Sequence, residues 1–250
     1  MLAYIVSGYD FGYAWPWTHG HLVAGVAFAV LAWWGRRRLP WWGTGVLATA
    51  AGWAFAGFLI VQLVFGFNAP MQMPTNRFLA TGKGQVLDIG SGSGRTSIMV
   101  GLARPDVEIT ALDNFSAQYI RGNGEDLLRR NLRAAGIDGR VKTLRADMRQ
   151  IPAPDGSFDG VVSSYAIDHL NREGIERSLG EVRRVMRPGG EFLLMVIKAD
   201  GWLKFAYGPL LLHSRGVGPD FWKRKLEEAG LTVVEQGQTP GTAYYLCRKP

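Results

Sequence analysis

With 250 residues, 47% of them hydrophobic, the chain can bury one full α/β core and still have residues left over. Its single cysteine, Cys247, excludes an internal disulfide framework and any metal site built from several thiolates. The net charge of +7 divides into +2 before residue 71 (three Arg, one Asp) and +5 after it (25 Lys and Arg, 20 Asp and Glu), with the later cations scattered among acids, as over 125–133. That pattern is a solvated face, so no specific nucleic-acid partner is expected.

In chain order, residues 11–35 carry no formal charge, although His19 and His21 interrupt the first half; Arg36, Arg37 and Arg38 follow. After Pro40, residues 41–67 are again uncharged, with Gln62 the only strongly polar side chain. As a helix rising about 1.5 Å per residue this run spans about 40 Å, more than the roughly 30 Å hydrocarbon core of a bilayer. Trp15, Trp17, Trp33, Trp34, Trp41 and Trp42 cluster at the segment ends, where amphipathic rings favour the headgroup region. Ala48, Gly52 and Ala56 share one helix face that would let the first helix approach closely. Residues 1–70 therefore predict a helical transmembrane hairpin that serves as a membrane anchor. The competing reading is a buried hairpin of a soluble protein. A cleaved signal is excluded, because the basic cluster follows the apolar run instead of preceding it.

Residues 68–83, with Pro70, Pro74 and Gly82, have no apolar period and read as a linker, so the predicted division is 1–70 anchor, 71–84 linker and cofactor cover, 85–250 catalytic domain. An apolar strand, Val86-Leu87-Asp88-Ile89, then runs into Gly90-Ser91-Gly92-Ser93-Gly94 and a helix beginning at Arg95. Three alternate glycines at a strand-to-helix turn let backbone approach a nucleotide-like ligand. The dinucleotide fingerprint would need a small residue where Arg95 stands, which disfavours NAD. Asp88, just before the first glycine, suits a cationic ligand better than a pyrophosphate. Strands and helices alternate from there: helix 95–103, strand 107–112, helix 116–135 interrupted near Gly122 and Gly124, strands 141–144 and 158–164, helix 172–186, strand 191–197, helix 219–229, and strands 231–235 and 243–248. The order predicts an α/β fold with a mostly parallel sheet covered on both faces.

The glycine turn resembles motif I of the class I S-adenosylmethionine-dependent methyltransferases, of the type acting on small molecules and lipids. Four further features keep the order of that family: Val107-Glu108-Ile109-Thr110-Ala111-Leu112-Asp113, Arg145-Ala146-Asp147-Met148, Phe158-Asp159-Gly160-Val161-Val162-Ser163-Ser164, and Met186-Arg187-Pro188-Gly189-Gly190. The resemblance implies a Rossmann-like sheet whose last strand is antiparallel, and S-adenosylmethionine as cofactor. It places the cofactor against Asp88, Gly90, Ser91, Gly92 and Gly94, its ribose on Asp113 and Asn114, its adenine beside Asp147 and Met148, and Ser164 nearby. A cytosolic cofactor pool then puts the catalytic domain in the cytoplasm. The positive-inside rule, by contrast, would place Arg36 to Arg38 there. An outward loop and a re-entrant hairpin both remain compatible with the sequence.

Methyl transfer needs alignment and dryness, and a base only if the acceptor carries a proton. Tyr165, Asp168 and His169, at the carboxyl end of strand 158–164, are the candidates for it; packing for His169 and helix initiation for Asp168 are their structural alternatives. The chain lacks the Asn/Asp-Pro-Pro-aromatic tetrapeptide that grips planar amide or amine nitrogens, and it lacks a cysteine pair for metalloid chemistry. Residues 201–213 are apolar apart from Lys204 and His213 and read as a lid or a membrane-facing flap. The expected activity is methylation of a lipophilic small molecule or lipid, a phospholipid amine or a quinone-like ring. The alternative is a membrane-anchored binding or assembly module that keeps the fold without turnover. No metal site is expected, and the oligomeric state is left open.

Overall fold

The structure, a computed structural model, describes residues 8–116, 120–208 and 219–250. Two helices come first, α1 (Trp15–Gly35) and α2 (Trp41–Ile60), the second running on through one π-helical turn, Val61–Phe65. The α/β unit follows as β1 (Lys83–Ile89), α3 (Arg95–Ala103), β2 (Asp106–Asp113), α4 (Glu125–Ala134), β3 (Val141–Arg145), β4 (Phe158–Ser164), α5 (Arg172–Val185), β5 (Met186–Ile197), α6 (Gly201–Tyr207), α7 (Pro219–Glu228), β6 (Thr232–Thr239) and β7 (Thr242–Arg248).

The strands form one seven-stranded sheet in the order β3-β2-β1-β4-β5-β7-β6, parallel from β3 to β5, with β7 antiparallel to both its neighbours. Alternation along β1 sends Leu87 and Ile89 to one face, with Ile175, Leu179 and Val182 of α5, and Val86 to the other, with Met99 and Val100 of α3. Both faces are dry, and Cys247 on β7 is fully buried, its thiol pushed up to about 12 by that burial. Helix α5 starts where Asn171 Oδ1 accepts from the Gly174 amide at 2.9 Å. It stops one residue short of the predicted end, because Met186 already pairs with Phe158 in the sheet.

The predicted helix 116–135 is the clearest correction, since α4 begins only at Glu125. Ahead of it, Ile120 bridges to Tyr13 and the Arg121 amide donates to the Gly12 carbonyl at 2.7 Å, so the N-terminal segment claims backbone groups that a helix would use. That segment also crosses the expected boundary at residue 70. Phe11 is fully buried among Ile98, Ala111, Leu128 and Leu132, and Asn131 both donates to the Asp10 carbonyl (2.7 Å) and accepts from its amide (3.0 Å).

Helices α1 and α2 pack on each other, and their buried residues are small: Thr18, Gly25 and Ala32, seven apart on α1, and Ala51, Ala54 and Gly57 on α2. A methyl group on Gly57 would lie 2.5 Å from the His21 ring. The expected stripe of Ala48, Gly52 and Ala56 is not this seam, and Gly52 faces open space. At about 100° per residue the buried row lies on nearly the opposite face of α2 from that stripe. Among the described residues one helix, Trp41–Phe65, is long and apolar enough to cross a membrane. At its root the hairpin meets α6: Tyr207 Oη donates to the Trp17 carbonyl (2.6 Å), Trp53 Nε1 to the Phe205 carbonyl (3.1 Å), and His21 Nε2 lies 2.7 Å from the Ala206 carbonyl. Val61, Ala206 and Tyr207 form a small core there with Phe65, Phe67 and Leu203.

Candidate active site

The carboxyl ends of β1, β2 and β4 converge on the glycine turn. Gly90, Gly92 and Gly94 have φ of 74°, 49° and 90°, values that only glycine takes without strain. Space is equally restrictive: a Cβ on Gly90 would lie 2.2 Å from the Ala166 methyl group, and one on Gly94 would lie 2.6 Å from Leu128. The first glycine thus lets the loop after β4 close on the turn, and the third lets α4 pack against it.

Asp88 is wholly buried. Ser97 Oγ donates to its Oδ2 at 2.6 Å, while Oδ1 has no partner. Burial pushes its pKa up to about 7, with the Asp113 charge adding and the Ser97 bond opposing. A desolvated carboxylate with one oxygen free is a fitting counter-charge for a cationic group, which agrees with the amine and sulfonium of S-adenosylmethionine. Ser91 Oγ is likewise buried without a partner.

Asp113 closes the turn from β2, accepting from the Gly92 amide (Oδ2, 2.8 Å) and the Phe115 amide (Oδ1, 2.5 Å). Each oxygen keeps a lone pair for a ribose hydroxyl. Asn114 Oδ1 accepts from Ser116, which holds the next turn in place. Beside them a cavity of about 60 Å³ is lined by Leu112, Asp113, Asn114, Ala146, Asp147, Met148, Arg149 and Leu170. The expected ribose and adenine residues are therefore brought to one cleft. Asp147 is gripped by Arg149 (2.9 and 2.5 Å), whose guanidinium holds that carboxyl below its ordinary value.

The acid–base candidates separate. Tyr165, at φ 51°, turns its hydroxyl to Thr242 Oγ1 on β7, and burial raises its pKa. Asp168 lies in the short 3₁₀ turn Ile167–His169; its Oδ2 accepts from the Ile197 amide at 3.3 Å and its buried Oδ1 has no partner. Burial raises the Asp168 pKa, partly offset by His169. His169 itself is exposed. Ser164 Oγ lies 3.8 Å from Met71 Sδ, so the linker reaches the end of β4.

Three further residues escape sequence reasoning. Asn123, in the turn before α4, buries both amide atoms without a partner; a lone Asn in a Gly-Asn-Gly turn carries no sequence signal beyond the turn itself. Met71 looks like linker by composition. Arg95 reads only as an obstacle to NAD, yet its guanidinium donates to the carbonyls of Phe65 (3.1 Å), Gly66 (2.8 Å) and Ala69 (2.9 Å) and lies near the rings of Phe11 and Tyr13. The charge that does not fit a dinucleotide fingerprint here ties the glycine turn to the end of the hairpin.

Residues 86–190 match the family described as Methyltransferase domain. A demethylmenaquinone methyltransferase from Thermus thermophilus is 31% identical over 111 residues, 44% of this chain and 46% of that protein. A ubiquinone/menaquinone biosynthesis C-methyltransferase from Methylobacterium nodulans is 31% identical over 112 residues, 44% of this chain and 41% of that protein. The chain thus spans under half the length of these relatives. Among solved structures, a putative S-adenosyl-L-methionine-dependent methyltransferase from Methanococcus maripaludis superposes with a TM-score of 0.53 at 22% identity, covering 70% of this chain and 80% of that one. It shares the fold.

Proposed function

We propose that this chain, whose residues 86–190 form a methyltransferase domain of the S-adenosylmethionine-dependent class, is a membrane-anchored enzyme that methylates a lipophilic, quinone-like ring. The observation that carries the reading is the seat of α6. Trp202 and Phe205, 50% and 44% exposed, follow directly on β5, while Ala206 and Tyr207 are buried against the hairpin root. An acceptor dissolved in lipid would reach the carboxyl edge of the sheet along that helix. The similarity to two quinone-pathway methyltransferases supports a ring over a phospholipid amine. The exposed apolar surface of α1 and α2 supports insertion, and the catalytic domain then lies on the cytoplasmic side, with its cofactor supply. Residues 209–213 of the expected lid lie outside the described residues.

S-adenosylmethionine supplies a methyl group on a sulfonium centre. Asp88 would face its positive charge, Asp113 and Asn114 the ribose, and Met148 the adenine, while Gly92 leaves room for the cofactor to lie on the backbone. Asp168, on the loop after β4, would take the one proton that the reduced, hydroquinone form of the ring gives up as the methyl group is added, a role its raised pKa suits. Membranes containing the full chain, supplied with labelled S-adenosylmethionine, should label a demethylated quinone and not phosphatidylethanolamine. Label in phosphatidylethanolamine alone would replace the ring by an amine. Label in neither would remove the lipophilic acceptor.

A further inference from the structure

From residue 11 to residue 87 the chain has no Asp or Glu, and three of its cations in that stretch are consecutive. Arg36, Arg37 and Arg38 form the turn between α1 and α2, at the far end of the hairpin from α6. With Trp33 and Trp34 they line an open cavity of about 300 Å³. The Arg36 guanidinium stacks on the Trp33 ring at 4.7 Å and that of Arg38 on the Trp34 ring at 5.3 Å. Among the described residues none of the three side chains has an ion pair or a hydrogen bond, although basic residues near a helix C-terminus can bond its last carbonyls. Here the turn is closed by backbone alone, with the Arg38 and Leu39 amides donating to the Gly35 carbonyl.

Three guanidiniums with their N–H forks unspent, two of them held on indole faces, match the geometry of phosphate oxygens. The surroundings select the source of that phosphate. Trp41 and Trp42, 87% and 61% exposed, flank the turn, and Val30, Leu31 and Val46 stand exposed directly behind it. A nucleic acid or a soluble phosphate offers nothing to cover those side chains, whereas a lipid surface meets both the charges and the apolar belt. We propose that the hairpin tip is a binding site for the phosphate of anionic phospholipid headgroups. The proposal rests on the membrane reading above and adds a lipid preference to it.

The test uses the full chain and vesicles of phosphatidylcholine with or without phosphatidylglycerol, read by flotation at several salt concentrations. The wild type should favour the anionic vesicles, and Arg36→Gln/Arg37→Gln/Arg38→Gln should lose about a hundredfold of that affinity while still entering neutral vesicles. Replacement of all three by Lys should keep part of the preference, since charge survives and the fork does not. An unchanged preference in the Gln variant overturns the tip site and leaves the anchor standing. Release of the wild type by inorganic phosphate but not by the same ionic strength of chloride overturns the lipid source. A wild type that binds anionic vesicles but never enters neutral ones sinks the anchor and leaves the tip site standing.

Discussion

Arg95 donates to the Gly66 carbonyl at 2.8 Å, joining the first residue of α3 to the glycine that ends the hairpin in a left-handed turn. Gly66 and its neighbours leave the helix-terminal carbonyls that a cation satisfies best. Arg95→Ala should lower stability by about 3 kcal/mol and open the linker to protease, and Arg95→Lys should recover little, because an ammonium lacks the planar fork. Thermal unfolding and limited proteolysis of the detergent-solubilised chain check this. Equal stability of Arg95→Ala and wild type would reduce the contact to a surface accident.

Phe11 makes the N-terminal segment part of the α/β core. Phe11→Ala should cost about 3–5 kcal/mol, as for a large buried ring. A chain starting near Met71 should be destabilised further, since Asn131 also loses both its bonds to Asp10. The comparison to make is the denaturant midpoint of the two variants in one detergent. A Met71 chain as stable as the whole would restore a clean boundary at residue 70.

Asp88 sets a pH dependence. Its folded pKa, about 7, lies above the ordinary 3.8, so the folded chain holds a proton that the unfolded chain has released. The stability from this group is full below about pH 4 and is lost as pH rises towards about 7. Cofactor binding runs the other way: a cation beside Asp88 favours the carboxylate, so affinity should climb up to about pH 7 and then level. Asp88→Asn should flatten both curves, measured by thermal melts and by calorimetry. A cofactor affinity independent of pH in the wild type would remove Asp88 from the site.

Asp113→Ala should weaken S-adenosylmethionine by about 1.5–3 kcal/mol, the worth of a charged hydrogen bond, and NAD should not bind to either form. Tight NAD binding by the wild type would end the cofactor assignment.

Along the acceptor route, Trp202→Ser and Phe205→Ser should raise KM for the acceptor and leave cofactor affinity nearly unchanged. Leu211→Ser, on a residue outside the described segments, is the parallel expectation from the sequence. Asp168→Asn should lower kcat by about 10²–10⁴-fold if Asp168 is the base, and His169→Ala should do the same if His169 is. Steady-state kinetics with a water-soluble acceptor serve as control; equal turnover of that acceptor by the Ser variants and wild type, with no change for the lipophilic one, would close the route.

What could be read from the chain was whatever repeats a local rule. The glycine turn, the acids ending β1 and β2, and the two-residue alternation of buried strands each follow from neighbours in sequence, and the sheet places them as expected. What escaped depends on partners far apart. Nothing near Phe11 announces Leu128, nothing near Arg95 announces the carbonyl of Phe65, and the start of α4 moved because Tyr13 pairs with Ile120. The small-residue seam of the hairpin was placed on nearly the opposite face for the same reason: composition offers two small-residue stripes on α2, and only contacts with α1 and α6 decide which is buried.

The missing carboxylates of residues 11–87 also limit what can control this part of the chain. Calcium or magnesium has no acidic ligand there through which to bridge it to lipid or to loosen it. Acidification has no buried acid to neutralise in order to drive insertion, as pH-triggered membrane segments require. If the hairpin enters the bilayer as proposed, it does so as a constitutive mooring, and regulation falls to the catalytic domain, to the supply of acceptor, or to the lipid that the arginines meet.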